Sequence, residues 1–139
     1  RLMVMGINAN DPNCQARIEG KCAAILKEYQ PGDPSQIWIR KSLNGAHVLI
    51  NKQTNMVALV AQGNGNQVFL YNQTPINIYA GRWTIGGNCS TNCALRPIHD
   101  SGQNLNIFGN GPYASGRNIG TWGWGGGQLN ETWYMYPAP

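Results

Sequence analysis

The stretch Asn118–Trp133, NIGTWGWGGGQLNETW, decides the predicted fold. It begins with a short apolar run, Ile119–Trp122, passes through a polar, glycine-rich loop that we interpret as flexible, and ends on a second short run centred on Trp133. Weaker copies of this Trp-centred end occur twice upstream, and the three tryptophans, Trp38, Trp83 and Trp133, lie 45 and 50 residues apart. Repetition at such an interval indicates an internal repeat.

Each repeat reads as about four short strands that end on a tryptophan. The repeats span about 1–46, 47–93 and 94–139 of a single domain. Three repeats of this kind favour an all-β fold, the β-trefoil, in which six strands close a barrel and three hairpins cap it, leaving few open edges. A tryptophan flanked by apolar residues once per repeat belongs in the barrel centre, so we expect all three to be mostly buried.

Several local predictions follow the same pattern of short apolar runs between turn residues. Gln15–Glu19 and Cys22–Leu26 read as a strand pair, Tyr79–Ile85 closes the second repeat, and Thr132–Tyr136 closes the third. The segment Cys22–Tyr29 is the one place where a short helix is the alternative.

Composition supports a loop-rich β domain and excludes several functions. Charged residues make up 12% of the chain, about half the usual share. The formal net charge is +4, but the ten Lys and Arg are scattered and form no basic stripe, so nucleic-acid binding is not expected. No apolar run reaches membrane-spanning length, and no membrane insertion is predicted.

The four cysteines allow three disulfide pairings. The local pairing joins Cys14 to Cys22 and Cys89 to Cys93, and it is the one we expect. Four cysteines that can pair, together with three N-glycosylation patterns described below, favour a secreted or extracellular protein. A cytoplasmic chain is the alternative.

Three sequence patterns match the N-glycosylation acceptor, at Asn72, Asn88 and Asn130. Asn72 and Asn88 lie in predicted loops and are the candidate glycosylation sites. An asparagine-rich cytoplasmic chain can match this pattern by chance, so the pattern supports secretion without deciding it.

The closing runs of the three repeats carry a family resemblance. Gln36-Ile37-Trp38, with looser copies Gly81-Arg82-Trp83 and Glu131-Thr132-Trp133, resembles the Gln-x-Trp repeat of ricin-B-type (R-type) lectins over nearly the whole chain. Val48–Thr54 and Thr121–Trp124 are also similar to the Euonymus-type plant lectins. The resemblance implies a β-trefoil that binds carbohydrate, with a galactose-type sugar suspected and without catalysis or a cofactor. Whether it forms a homodimer stays open.

In R-type repeats the sugar is held by an Asp after the first hairpin strand, an aromatic platform, and an Asn just before Gln-x-Trp. The resemblance places these roles in the third repeat on Asn106, Trp122 and Asn130, with Trp124 as the alternative platform and Gln128 as a further contact. Asn106 in place of Asp gives up a charge-assisted bond to a sugar hydroxyl. Glu131 in place of Gln is a second departure.

The resemblance implies weaker or inactive sites in the other two repeats. In the second repeat Tyr71 lies near the platform position, but Ala58 falls on the Asp position. In the first repeat Lys27 or Glu28 falls near the platform position, and Gly6 or Met5 on the Asp position.

Other functions fit the sequence less well. His47 and His99 have no metal-ligand spacing with a cysteine or with each other, and no activated nucleophile pattern is present, so no catalytic residue is predicted. The remaining alternative is a trefoil protease inhibitor or protein-recognition module. It would expose one rigid loop, either Pro31–Ser35 or Asn110–Ser115.

Overall fold

The computed structural model describes residues 2–73 and 80–138, and its elements there are almost entirely β-strands. In chain order the strands are β1 Met3–Gly6, β2 Cys22–Ala23, β3 Ile25–Glu28, β4 Trp38–Leu43, β5 Ala46–Asn51, β6 Val57–Leu59, β7 Asn66–Gln67, β8 Phe69–Tyr71, β9 Trp83–Asn88, β10 Asn92–Pro97, β11 Gln103–Ile107 and β12 Ile119–Gly123. One helical turn, α1 (Pro12–Gln15), and two 3-10 turns, Pro34–Gln36 and Leu129–Glu131, complete them.

All strand pairs among the described residues are antiparallel, and the pairs that form hairpins are of two kinds. Long hairpins β4–β5 and β9–β10 join a strand that begins at a tryptophan to the first strand of the next repeat. Shorter pairs, β1–β3, β6–β8 and β11–β12, form the hairpin of each repeat. The described residues therefore contain one such hairpin for each of the three predicted repeats.

The three tryptophans show that the repeats share one geometry. Each indole N–H donates to a backbone carbonyl on the first strand of its own repeat's hairpin: Trp38 to Met5 (2.9 Å), Trp83 to Ala58 (3.4 Å) and Trp133 to Leu105 (3.0 Å). These acceptors face equivalent residues on the second hairpin strand: Leu26, Leu70 and Thr121. The tryptophans therefore occupy corresponding places in the three repeats.

The three tryptophans are buried to different extents. Trp83 is fully buried in the central cluster with Leu49 and Leu95, whereas Trp38 and Trp133 are only half-buried. Trp38 lies beneath β1, which pairs with β3 alone. Trp133 lies on a terminal segment whose one β-bridge joins it to Cys93. Short elements near the two ends of the chain pack over these two rings and leave them partly exposed.

Three predicted strands and one alternative helix need correction. Gln15–Glu19 is not a strand, because Pro12 opens a helical turn that Asp11 caps by accepting from the Asn13 amide. Thr132–Tyr136 is not a strand beyond the single bridge at Trp133. The strand predicted over Tyr79–Ile85 begins at Trp83, and Tyr79 lies outside the described residues. The alternative helix over Cys22–Tyr29 is wrong, since β2 and β3 occupy that segment.

Both disulfides have the local pairing. Cys14–Cys22 ties α1 to β2, and Cys89–Cys93 closes the β9–β10 hairpin, each with 4.7 Å between Cα atoms. Among residues 2–73 and 80–138, no helix has the length and apolar character that a membrane crossing requires.

Gly120 positions the strand that carries the site. It lies in β12 between β11 and β7. A Cβ at this position would collide with the carbonyl oxygen of Asn66 and the ring of Phe108. Only glycine allows β12 to approach β7 this closely. Two residues later on the same strand, Trp122 lies exposed at the surface.

Candidate functional site

Glu131 organises the glycine-rich loop of the third repeat. Its side chain is 2% exposed, yet its carboxylate accepts hydrogen bonds from the backbone amides of Gly125 (2.9 Å), Gly127 (2.8 Å) and Gln128 (3.0 Å). A carboxylate offers enough lone pairs for all three donors. The loop interpreted as flexible from its sequence is therefore held from beneath.

Gln36 has the corresponding task in the first repeat. Its Oε1 accepts from the Gln30 amide at 2.8 Å, and its Nε2 donates to the Glu28 carbonyl at 2.8 Å. Both side chains reach the residue six positions earlier, Gln30 or Gly125. Glutamate rather than glutamine suits position 131 because the loop of the third repeat presents only backbone N–H donors to this side chain. The loop of the first repeat presents one donor and one acceptor to Gln36, which suits an amide.

The structure brings Asn106 and Asn130 together, with Asn130 Nδ2 donating to Asn106 Oδ1 at 2.9 Å. Asn106 lies on β11 and is 5% exposed, while Asn130 lies in the second 3-10 turn and is half-buried. Asn130 is thus the member of the pair that reaches the surface, and Asn106 holds it in place.

The two predicted platform rings lie against different neighbours. Trp122 is 51% exposed and lies over Gly65, where an added Cβ would be 3.1 Å from the ring. Trp124 is 45% exposed and packs beside Gly127, with the Arg96 guanidinium 5.1 Å from its ring centroid. The two rings therefore border two parts of the surface rather than one continuous platform.

Gln128, the fifth predicted site residue, is exposed at the start of the 3-10 turn. Its backbone amide is fixed by Glu131, so the position of this residue is set even though its side chain lies at the surface.

A shallow cleft of about 380 Å³ lies between the β9–β10 hairpin and the glycine-rich loop. It is lined by Trp124, by Arg96, by Thr132 and by glycines of both walls. Sequence reasoning missed Arg96 and Thr132. Arg96 comes from β10, outside the hairpin that carries Trp122, and no spacing in the sequence marks it.

The strand register shows why the other two repeats lack the asparagine pair. The residue after each indole acceptor is Gly6 in the first repeat, Leu59 in the second and Asn106 in the third. Ala58, matched to the Asp position from sequence, is one residue off, since it accepts the Trp83 indole. Lys27 is opposite Val4, and Tyr71 is opposite Val57. These are the positions in the first two repeats that correspond to Trp122, which is opposite Asn104 in the third.

The two loops considered for protease inhibition are both braced. Arg117, just beyond Asn110–Ser115, turns back to donate to the carbonyls of Phe108 and Asn110, each at 2.9 Å. In Pro31–Ser35, Asp33 accepts from the hydroxyl and the amide of Ser35. Burial alone would raise the pKa of Asp33, but those hydrogen bonds and the charge of Lys27 bring the pKa below its ordinary value.

In residues 2–73 and 80–138, no group of three or more His, Cys, Asp and Glu side chains could hold a metal ion. All four cysteines form disulfides, so none of them is a free thiol that could bind a metal ion.

No protein-family model matches the chain, and no curated protein sequence matches it. Solved structures do match. A designed threefold-symmetric protein, ThreeFoil, superposes with a TM-score of 0.76 and 19% identity over 95% of this chain and 94% of that one. The chain is a β-trefoil.

Two natural β-trefoil lectins are also similar. The ricin B-like lectin of Macrolepiota procera, in complex with lactose, has a TM-score of 0.66 and 18% identity, covering 81% of this chain and 77% of that one. The C-terminal half of an earthworm R-type lectin, in complex with GalNAc, has a TM-score of 0.60 and 18% identity over 95% and 96%. The expected likeness to R-type lectins is confirmed at the level of the fold.

This trefoil also resembles part of an enzyme. An exo-β-1,3-galactanase from Clostridium thermocellum matches with a TM-score of 0.74 and 14% identity, but the chain spans only 28% of that enzyme. All these identities are low, so the likenesses establish the β-trefoil and leave its function to the site.

Proposed function

We propose that this β-trefoil is a non-catalytic carbohydrate-binding domain of the R-type lectin kind, with its main sugar site in the third repeat. The observation that carries the proposal is the Asn130–Asn106 hydrogen bond, in the repeat that also exposes Trp122 on β12 and Trp124 just after it. The equivalents of Asn106 in the other repeats, Gly6 and Leu59, have no side-chain amide.

Asn130 has the hydrogen-bonding capacity that a sugar requires. A side-chain amide has two N–H donors and a carbonyl with two lone pairs, and Asn106 uses one donor. The second donor and the carbonyl remain to bridge neighbouring ring hydroxyls. Gln128, exposed on the same 3-10 turn, adds a further polar contact.

Trp122 supplies the apolar partner for the sugar. Its ring is 51% exposed and can stack on the apolar face of a pyranose. Trp124 is the alternative platform. One shallow site of this kind binds weakly, with a Kd of about millimolar to micromolar, so tighter apparent binding requires several sites or an oligomer such as a homodimer.

The similar lectins carry lactose or GalNAc, which makes a galactose-type sugar the first ligand to test. A glycan array followed by calorimetry should show Trp122→Ala abolishing binding with a nearly unchanged Tm, since the ring is half-exposed. The matched variant Trp124→Ala keeps binding if Trp122 is the platform.

Asn130→Ala should also abolish binding, but with a loss of about 1–3 kcal/mol in stability, because buried Asn106 loses its donor.

Wild-type sugar binding by both Trp122→Ala and Asn130→Ala would contradict the third-repeat site. The first repeat around Tyr29, Asp33 and Gln36 would then be the next place to examine. A protease-inhibition assay on the same preparations tests the alternative function of inhibitor or protein-recognition module.

We infer in addition that the protein is secreted and glycosylated, because two disulfides suit an oxidising compartment. Asn88 is exposed at the end of β9 and should carry a glycan, as should Asn72, whose pattern ends at Thr74 outside the described residues. Asn130 should stay unmodified, since a glycan there would block the site. Mass spectrometry of protein from a eukaryotic secretory host checks this. A glycan on Asn130 in sugar-binding protein would refute its role.

A further inference from the structure

We propose that the cleft beside Trp124 binds the acidic group of a saccharide, a carboxylate or a sulfate, through Arg96. The inference rests on the proposed function in one respect, that the ligand is a saccharide. It assigns the cleft a different ligand chemistry from the neutral hydroxyls that Asn130 and Trp122 would bind.

Arg96 is held in a fixed position. Its Nε donates to Asn104 Oδ1 at 2.7 Å, and Asn104 is fully buried on β11. The guanidinium lies 5.1 Å from the Trp124 ring centroid, a distance at which a cation is attracted to an aromatic face. Because Nε is the atom that bonds to Asn104, the two terminal nitrogens stay free to form the fork that matches a carboxylate or sulfate.

The cleft wall beside Arg96 is shaped by glycine. An added Cβ on Gly86 would lie 2.5 Å from Arg96 Nη1, so the guanidinium occupies the space that a side chain would fill. Gly126 and Gly127 form the opposite wall, with φ values of 91° and 87° that favour glycine. A ligand in this cleft of about 380 Å³ therefore meets glycine backbone, the Trp124 indole and the Arg96 cation, with Asn92 and Thr132 as neutral polar lining residues.

The charges around the cleft favour an anion. Among the described residues that line the cleft, Arg96 is the only charged one. The nearest carboxylate on the loop, Glu131, lies beneath it and accepts from three backbone amides. No acidic side chain among the described residues that line the cleft competes for the guanidinium.

Calorimetry with matched sugars tests the proposal: galactose, galacturonic acid and galactose 6-sulfate, each at low and high salt. We expect at least one acidic sugar to bind about tenfold more tightly than galactose at low salt, with the advantage shrinking as salt rises. The two acidic sugars distinguish a carboxylate from a sulfate ligand.

Three variants separate a local contact from a general effect of charge. Arg96→Gln should remove the preference for the acidic sugar and keep galactose binding. Gly86→Ala keeps the positive charge but displaces the guanidinium, so it should weaken the preference as well. Lys52→Gln, a matched charge change at an exposed residue outside the cleft, should leave the preference intact.

Equal binding of acidic and neutral sugars by the wild type, or an unchanged preference in folded Arg96→Gln, would overturn the proposal while leaving the third-repeat sugar site standing. Should Arg96→Gln fail to fold, an unchanged preference in Gly86→Ala would overturn it too. Binding of an acidic sugar with no galactose binding would support the cleft and count against the proposed neutral site.

Discussion

Replacing Trp83 with alanine is expected to lower the free energy of unfolding by about 3–5 kcal/mol. Trp83 is fully buried in the central cluster, and its indole donates to the Ala58 carbonyl. The substitution leaves a large cavity and an unpaired carbonyl in the barrel centre. A loss of this size is a large part of the total stability of a domain of this length, so much of the variant should be unfolded near physiological temperature.

The other two tryptophans are the matched controls. Trp38→Ala and Trp133→Ala remove equivalent indole hydrogen bonds from rings that are only half-buried. Each should therefore cost clearly less than Trp83→Ala. Urea unfolding of the three variants gives the order, and a larger loss for either Trp38→Ala or Trp133→Ala would contradict the burial that the fold assigns to these positions.

Glu131→Gln is expected to cost about 2–3 kcal/mol and to abolish sugar binding. Glutamine retains one acceptor, but its amide nitrogen would then face the backbone N–H of Gly125 or, in the other orientation, those of Gly127 and Gln128. Two donors facing each other in a buried position leave both without a partner. The loop should then relax, and Asn130, the residue beside Glu131, should lose its position over Asn106.

The reverse substitution, Gln36→Glu, is the control. Gln36 faces one donor, the Gln30 amide, and one acceptor, the Glu28 carbonyl, so a carboxylate oxygen there would face a carbonyl oxygen. Stability should fall in this variant too, but sugar binding should remain because the third repeat is untouched. Chemical unfolding and calorimetry check both variants. A Glu131→Gln protein with wild-type stability and binding would refute the role given to the carboxylate.

The repeat and the fold class could be predicted because they are encoded in spacing. Trp38, Trp83 and Trp133 recur at near-constant intervals, and each makes the same indole bond. Their unequal burial could not be predicted, since it depends on how much chain covers each repeat. The helical turn at Pro12 was missed because the order of apolar and polar residues over so few positions is compatible with both one helical turn and a strand.

The asparagine pair was found through the family resemblance, and its contact is visible only in the fold. Asn106 and Asn130 are 24 residues apart, and the β11–β12 hairpin and the 3-10 turn bring them to 2.9 Å. Arg96 could not be predicted, because it enters the cleft from a strand of the preceding hairpin. The function of Glu131 was missed because the sequence shows only that Glu stands where the family repeat has Gln. The three backbone amides that donate to its carboxylate are visible only in the structure.

The chain's five tryptophans provide the most direct test of sugar binding in the third repeat. In a ¹H–¹⁵N NMR titration with lactose to about millimolar concentrations, each indole N–H gives its own signal. We predict shifts in the indole of Trp122 or Trp124 and in the Asn130 side-chain amide. The indoles of Trp38, Trp83 and Trp133, which donate to backbone carbonyls, should stay in place. Shifts confined to the first or second repeat would contradict the account.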